Sequence, residues 1–208
     1  MAISTYSELK TAISDFLNRD DLTSAIPNFI ALAEADFKTS IRHWRGMDRK
    51  DGNLDSRYTG IPDGFLKFER LAISTASGNR PLQPVSVDAM ADERARLLGQ
   101  AGEPRMYCLT GGVIEVCPSP DAAYPLEMTF HKEVPALSDA APTNWLLTAF
   151  PNIYLYQSLI HSAPYLQEDG RIAVWGALAK SSIDALNADD MASRYGGTGL
   201  RMRTRVGT

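Results

Sequence analysis

The chain has 208 residues and 22.8 kDa, with 21 Lys+Arg against 25 Asp+Glu and a formal net charge of −4. That total hides a split: residues 191–208 hold four arginines (Arg194, Arg201, Arg203, Arg205) and no acid, while the other 190 residues carry 17 bases and 25 acids. A hydrophobic content of 44% with 22% charged residues excludes whole-chain disorder, and the acidic body argues against a general nucleic-acid-coating role.

Thr5 to Asn18 reads as a helix. Thr5 and Glu8 have capping-box spacing, and Tyr6, Leu9, Ile13, Phe16 and Leu17 recur at helical intervals. After the polar break at residues 18–21, a second helix starts near Pro27, with Phe29, Ile30, Ala33, Phe37, Ile41 and Trp44 striping one face. These two form a helical hairpin.

The period changes after Trp44. From Arg45 to Thr143 short runs alternate with Gly, Pro and Asp. Phe65–Ile73 reads as a strand. Ser86 caps a short helix reaching about Leu98, with Val87, Met90, Leu97 and Leu98 facing inward. Tyr107 and Leu109, the turn pair Gly111-Gly112, then Ile114 and Val116 make a hairpin. Leu126, Met128 and Phe130 supply a third strand, so the expectation here is a three-stranded meander with one apolar face.

Helical period returns after Pro142. Trp145–Leu166 is apolar on several sides, with Pro151 starting its main helix and Pro164 near its end. The last helix runs from Asp169 to about Met191, striped by Ile172, Trp175, Leu178, Ala179, Ile183 and Leu186. The expected fold class is α+β: mainly a helical bundle of two hairpins, residues 1–44 and 144–191, with a small antiparallel β-rich insertion at 45–143. Residues 192–208 are expected to form a flexible basic tail, because Gly196, Gly197 and Gly199 break the helix.

Little in the chain points to catalysis. His43, His131 and His161 have no metal-ligand spacing, so no metal or cofactor is expected; His43 is placed at a helix end and His131 on the exposed face of the third strand. With Gly111-Gly112 as the turn, Cys108 faces Glu115 and Cys117 lies diagonally, about 7–8 Å away and beyond disulfide reach. Two cysteines fit a reducing compartment. The acids at Asp20-Asp21, Glu34/Asp36 and Asp189-Asp190 read as solvated helix ends and faces. Ser158 and His161, three residues apart on one helix, lack an elbow motif or an oxyanion loop. No apolar run is long enough to span a bilayer, and Met1–Lys10 shows no signal-peptide pattern. Arg201, Arg203 and Arg205 alternate, so an extended chain presents all three on one side.

The order of short motifs carries a resemblance. Tyr6-Ser7-Glu8-Leu9, the run from Ile26 to Ala35, Ile61-Pro62-Asp63-Gly64-Phe65-Leu66 and Gly102-Glu103-Pro104-Arg105-Met106-Tyr107 resemble head-to-tail adaptor proteins of tailed phages. So do Pro142-Thr143-Asn144-Trp145-Leu146-Leu147, Tyr154-Leu155-Tyr156, Ala163-Pro164-Tyr165-Leu166 and Leu200-Arg201-Met202-Arg203. The resemblance implies a non-enzymatic virion protein that forms a ring, commonly twelve-fold, beneath the portal. Such a ring extends the DNA channel without sequence-specific binding and offers a platform for tail or nozzle proteins. It implies assembly in the host cytoplasm and a final place at the head–tail interface. The family's C-terminal segment often enters the portal, which directs attention to Arg194, Gly196, Gly197, Gly199, Leu200, Arg201, Met202, Arg203 and Arg205. Two other readings compete: a small hydrolase with a pocket at the β-insertion, and a nucleic-acid module that grips phosphates through the arginine tail.

Overall fold

A computed structural model describes residues 3–166 and 170–195. The chain divides into two compact units. One comprises the described residues of Met1–Gly46 and Val134–Thr208; the other is Met47–Glu133.

In the first unit, helix α1 spans Tyr6–Leu17 and opens on the expected capping box. Thr5 Oγ1 accepts the Glu8 N–H at 3.3 Å, and Glu8 Oε2 accepts the Thr5 N–H at 3.0 Å. Asn18 closes it in the left-handed conformation. Helix α2 covers Ile26–Ser40 with Pro27 in its first turn and buries Phe29, Ile30, Ala33 and Phe37. A single 3-10 turn follows at Trp44–Gly46.

The C-terminal helices of this unit are α4 (Trp145–Ala149), α5 (Pro151–Leu166) and α6 (Ile172–Tyr195). Asn144 caps α4 through a 2.8 Å bond from the Leu147 N–H. Pro164 is accommodated inside the last turn of α5.

These helices do not form the expected bundle, and the chain is not mainly helical: helix accounts for 44% and strand for 26%. The reason lies in α5. It buries Ile153, Tyr154 and Leu155 in succession, then Ser158, Leu159, Ser162 and Ala163, so it is covered on more than one side. Helices α1, α2, α4 and α6 each pack against it. A hub with spokes replaces two hairpins meeting face to face. Several residues expected on inward stripes are then left in water, among them Phe16, 51% exposed, and Leu178, 41% exposed.

The second unit contains eight strands and one helix. They are β1 (Met47–Leu54), β2 (Tyr58–Gly60), β3 (Phe65–Thr75), β4 (Gly78–Pro81), β5 (Gln83–Pro84), helix α3 (Val87–Arg96), β6 (Met106–Thr110), β7 (Val113–Cys117) and β8 (Tyr124–Lys132). They build two four-stranded sheets, ordered β1-β8-β3-β4 and β2-β7-β6-β5. The β6–β7 hairpin turns at Gly111-Gly112, where both glycines take positive φ, and Cys108 faces Glu115 in register. The expected meander ends there. After Cys117 the Pro118-Ser119-Pro120 run, which offers few ladder donors, carries the chain out of the sheet, and β8 pairs with β1 and β3 instead. The inner faces of both sheets share one core, built from Leu54, Phe68, Leu71, Ile73, Ile114 and Val116 with Leu126, Met128 and Phe130.

No helix among the described residues is long and apolar enough to cross a membrane.

Candidate docking groove

Helix α3 is held on the β2-β7-β6-β5 sheet by the buried Met90, by the Val85 N–H just before it and by the Arg94 side chain. Met90, 1% exposed, packs on the buried thiols of Cys108 and Cys117. The two cysteines are free, and burial pushes the Cys117 thiol up. Ser86 Oγ caps the helix by accepting the Ala89 N–H at 3.2 Å, and the Val85 N–H bonds the Tyr107 carbonyl at 2.9 Å. At the other end, the Leu98 N–H reaches the Ala95 carbonyl at 3.1 Å and the Gly99 N–H reaches the Arg94 carbonyl at 3.3 Å. That pair of bonds closes the helix through consecutive left-handed residues, Leu98 at φ 50° and Gly99 at φ 74°.

Met90 is the one buried residue of α3, and Val87, Ala91, Arg94 and Ala95 share its face of the helix and line a depression beside it. Val87 and Leu98, expected to face inward, are 54% and 87% exposed. They wall a groove of about 590 Å³ whose floor holds three charges. Glu115 Oε1 accepts from Arg57 Nε at 3.0 Å, from Arg57 Nη2 at 2.7 Å and from Arg94 Nη2 at 2.9 Å. Arg94 also donates to the Val116 carbonyl at 3.0 Å and to Ser119 Oγ at 3.2 Å. Arg57 lies over the Tyr58 ring at 4.8 Å from its centroid, and its backbone carbonyl accepts the Val116 N–H at 3.1 Å. The floor is thus prearranged by strand pairing on one side and a helix on the other. Sequence reading missed this cluster: Arg57, Arg94 and Glu115 are far apart in the chain, and only the Cys108–Glu115 register hinted at the carboxylate.

The residues singled out from sequence lie in the other unit. Helix α6 continues past Met191 to Tyr195, so Arg194 sits in its last turn, 3.7 Å from Asp190 across one helical turn. Gly196, Gly197, Gly199, Leu200, Arg201, Met202, Arg203 and Arg205 lie outside the described residues.

Asp20 and Asp21 are exposed as expected, but the other acidic groups are not simply solvated. Asp190, 7% exposed, accepts the Trp44 N–H at 2.6 Å, and Asp189 lies 3.3 Å from the Nε2 of buried His43, whose ring stacks on Trp145. Asn187 completes the tie by accepting the Arg42 N–H at 2.9 Å and donating to the Ser40 carbonyl at 3.0 Å. Glu34 takes the Leu137 N–H at 2.8 Å and the Tyr154 hydroxyl at 3.2 Å; its burial raises the carboxyl above its ordinary range. Burial likewise raises the Tyr154 phenol far above its usual value, with the neighbouring Glu34 charge adding to the effect.

The Ser158–His161 couple is not formed. His161 Nε2 is 2.8 Å from Asp36 Oδ2, and Ser158 Oγ is fully buried with no hydrogen-bond partner among the described residues. His131, expected on an exposed face, is buried: β8 is an inner strand, and Glu69 comes within 3.7 Å of the ring. Among the described residues, no group of three or more His, Cys, Asp or Glu side chains is placed to hold a metal ion.

The comparisons settle the family. No curated protein matches the chain. The model of the SU10 adaptor protein family matches residues 4–203, nearly the whole length and in agreement with the motif order read from the sequence. The chain belongs to the SU10 adaptor protein family, a family of phage head-to-tail adaptors.

Proposed function

We propose that this chain is the repeating subunit of a ring beneath the phage portal. In this reading residues 196–208 dock into the portal, tail or nozzle proteins assemble on the opposite side, and DNA passes through the lumen without base-specific contacts. The observation that carries it is the family match over residues 4–203, which supports a structural, non-catalytic role at the head–tail junction of the virion.

The charge distribution supports the docking part. Arg201, Arg203 and Arg205 give the terminal segment a concentrated positive charge on an otherwise acidic chain. Guanidinium groups bind carboxylates through two parallel hydrogen bonds, so an acidic crevice on the portal is a fitting receptor. One such segment binds weakly. A ring of them on a symmetric partner gains effective concentration, and a front-to-back contact between copies closes into a ring when its rotation allows.

The test is a mass measurement of the full chain alone, mixed with portal, and after deletion of residues 196–208. The full chain is expected to form a closed oligomer on portal. The truncated chain is expected to keep its circular-dichroism spectrum and fail to bind. Portal binding unchanged by the deletion would refute docking through this segment.

A further inference from the structure

The α3 groove contains a side chain that the fold does not require. Leu98 occupies the left-handed position just past the helix end, where glycine is favoured because it has no Cβ to clash with the following carbonyl. Burial does not compensate the strain, since Leu98 is 87% exposed. Val87 stands exposed on the same wall, so two large apolar groups flank one depression. Its floor holds two guanidiniums against one carboxylate, and the other lining residues are uncharged, leaving a net positive charge. Arg57 Nη1 has no protein partner among the described residues. The acids of α3, Asp88, Asp92 and Glu93, lie at helix positions outside the lining. An apolar rim over a positive floor is therefore set into an acidic chain.

We propose that this groove docks a peptide segment of a neighbouring virion protein in which a carboxylate lies beside a large apolar side chain. The carboxylate pairs with the Arg57 guanidinium, and the apolar side chain packs against Leu98 and Val87. Charge complementarity selects this occupant: the chain's own arginine-bearing segment at 201–205 would be repelled by the same floor. Pairing of Arg57 and Arg94 with Glu115 holds the cationic surface in place before the partner arrives, which limits the ordering cost of binding. The adaptor reading enters only in naming the source of the segment.

The experiment probes overlapping short peptides, tiled along the portal and tail proteins, with the labelled full chain at low and moderate salt. Two variants accompany it. Leu98→Gly removes one of the two large apolar groups of the rim and relieves the backbone, so its melting temperature should equal or exceed the parent's. Ala91→Glu adds a negative charge at an exposed helical position of the lining. The bound peptides are expected to carry Asp or Glu next to Leu, Ile, Met or an aromatic residue, and each variant should weaken them about tenfold or more. No bound peptide, bound peptides without an acidic preference, or binding that both variants leave unchanged would overturn the proposal. Self-association lost in both variants would give the groove to a second copy and overturn it as well. Ring assembly on portal, measured in parallel, separates the two readings. If the parent and both variants assemble but no acidic peptide binds, the groove proposal alone falls. If the parent fails to assemble, the adaptor reading falls and the peptides still judge the groove.

Discussion

The buried carboxylate of Asp190 accepts the backbone N–H of Trp44 at 2.6 Å, joining the last helix to the turn that follows α2 across 146 positions of sequence. A carboxylate that receives a main-chain N–H in a buried setting contributes most through the cost of leaving that donor unpaired. Asp190→Ala should therefore lower the unfolding free energy by about 1–3 kcal/mol. Asp190→Asn keeps an acceptor and should lose less. Urea denaturation of the two variants checks this, and equal losses would show that charge rather than acceptance matters.

Glu34 gives a pH dependence of definite sign. Its carboxyl is raised above the ordinary value of 4.5, first by burial, with the Leu137 N–H and Tyr154 hydroxyl pulling the other way. The folded state keeps this proton at a pH where the unfolded chain has released it. The group's contribution thus favours folding as pH falls into the window just above 4.5, and that advantage is lost as pH rises through the folded value. Glu34→Gln retains an acceptor for Leu137 but cannot ionise. The stability of the parent relative to this variant should rise as pH falls through that window, which thermal melts at a series of pH values measure. A difference independent of pH would contradict the assignment.

Ser158 is expected to improve on truncation. Its hydroxyl oxygen is fully buried and has no partner among the described residues, so the side chain bears a desolvation cost without a hydrogen bond in return. Ser158→Ala should leave stability unchanged or raise it by about 1 kcal/mol, read from the denaturation midpoint. A large loss would mean that the hydroxyl is satisfied in solution.

Met90 is the apolar anchor of α3, and its removal leaves a void beside Cys108 and Cys117. Met90→Ala should cost about 2–5 kcal/mol. Hydrogen exchange should quicken first in α3 and in the β6–β7 hairpin, because those are the elements it joins. Uniform loosening of the helical unit as well would mean that the two cores unfold together.

Local signals were legible in the sequence wherever a short-range rule applies. The Thr5–Glu8 capping box, Pro27 in the first turn of α2, the Gly111-Gly112 turn and the Cys108–Glu115 register all follow from spacing alone. What failed were choices of partner. A stripe says that a helix buries one side and not what lies against it, so the several apolar sides of Trp145–Leu166 read equally well as one wall of a bundle and as the hub they form. Alternation in Leu126, Met128 and Phe130 identified a strand without saying which sheet would take it. The groove was illegible for the same reason: Val87 shares a helix face with Met90, and nothing local says that the sheet covers Met90 while Val87 and Leu98 stay in water.

The insertion leaves and rejoins the rest of the chain through neighbouring strands. Met47, the first residue of β1, is paired with His131, near the end of β8. Facing residues of an antiparallel pair have Cα atoms about 4.5–5.5 Å apart, so the excursion from Gly46 to Val134 begins and ends almost at one point. A cassette with such close ends can be cut out and bridged by a few glycines, or exchanged for another of different surface, without restringing the helices that flank it in sequence. The surface of this unit is thus free to change without changing the helices before and after it in the chain.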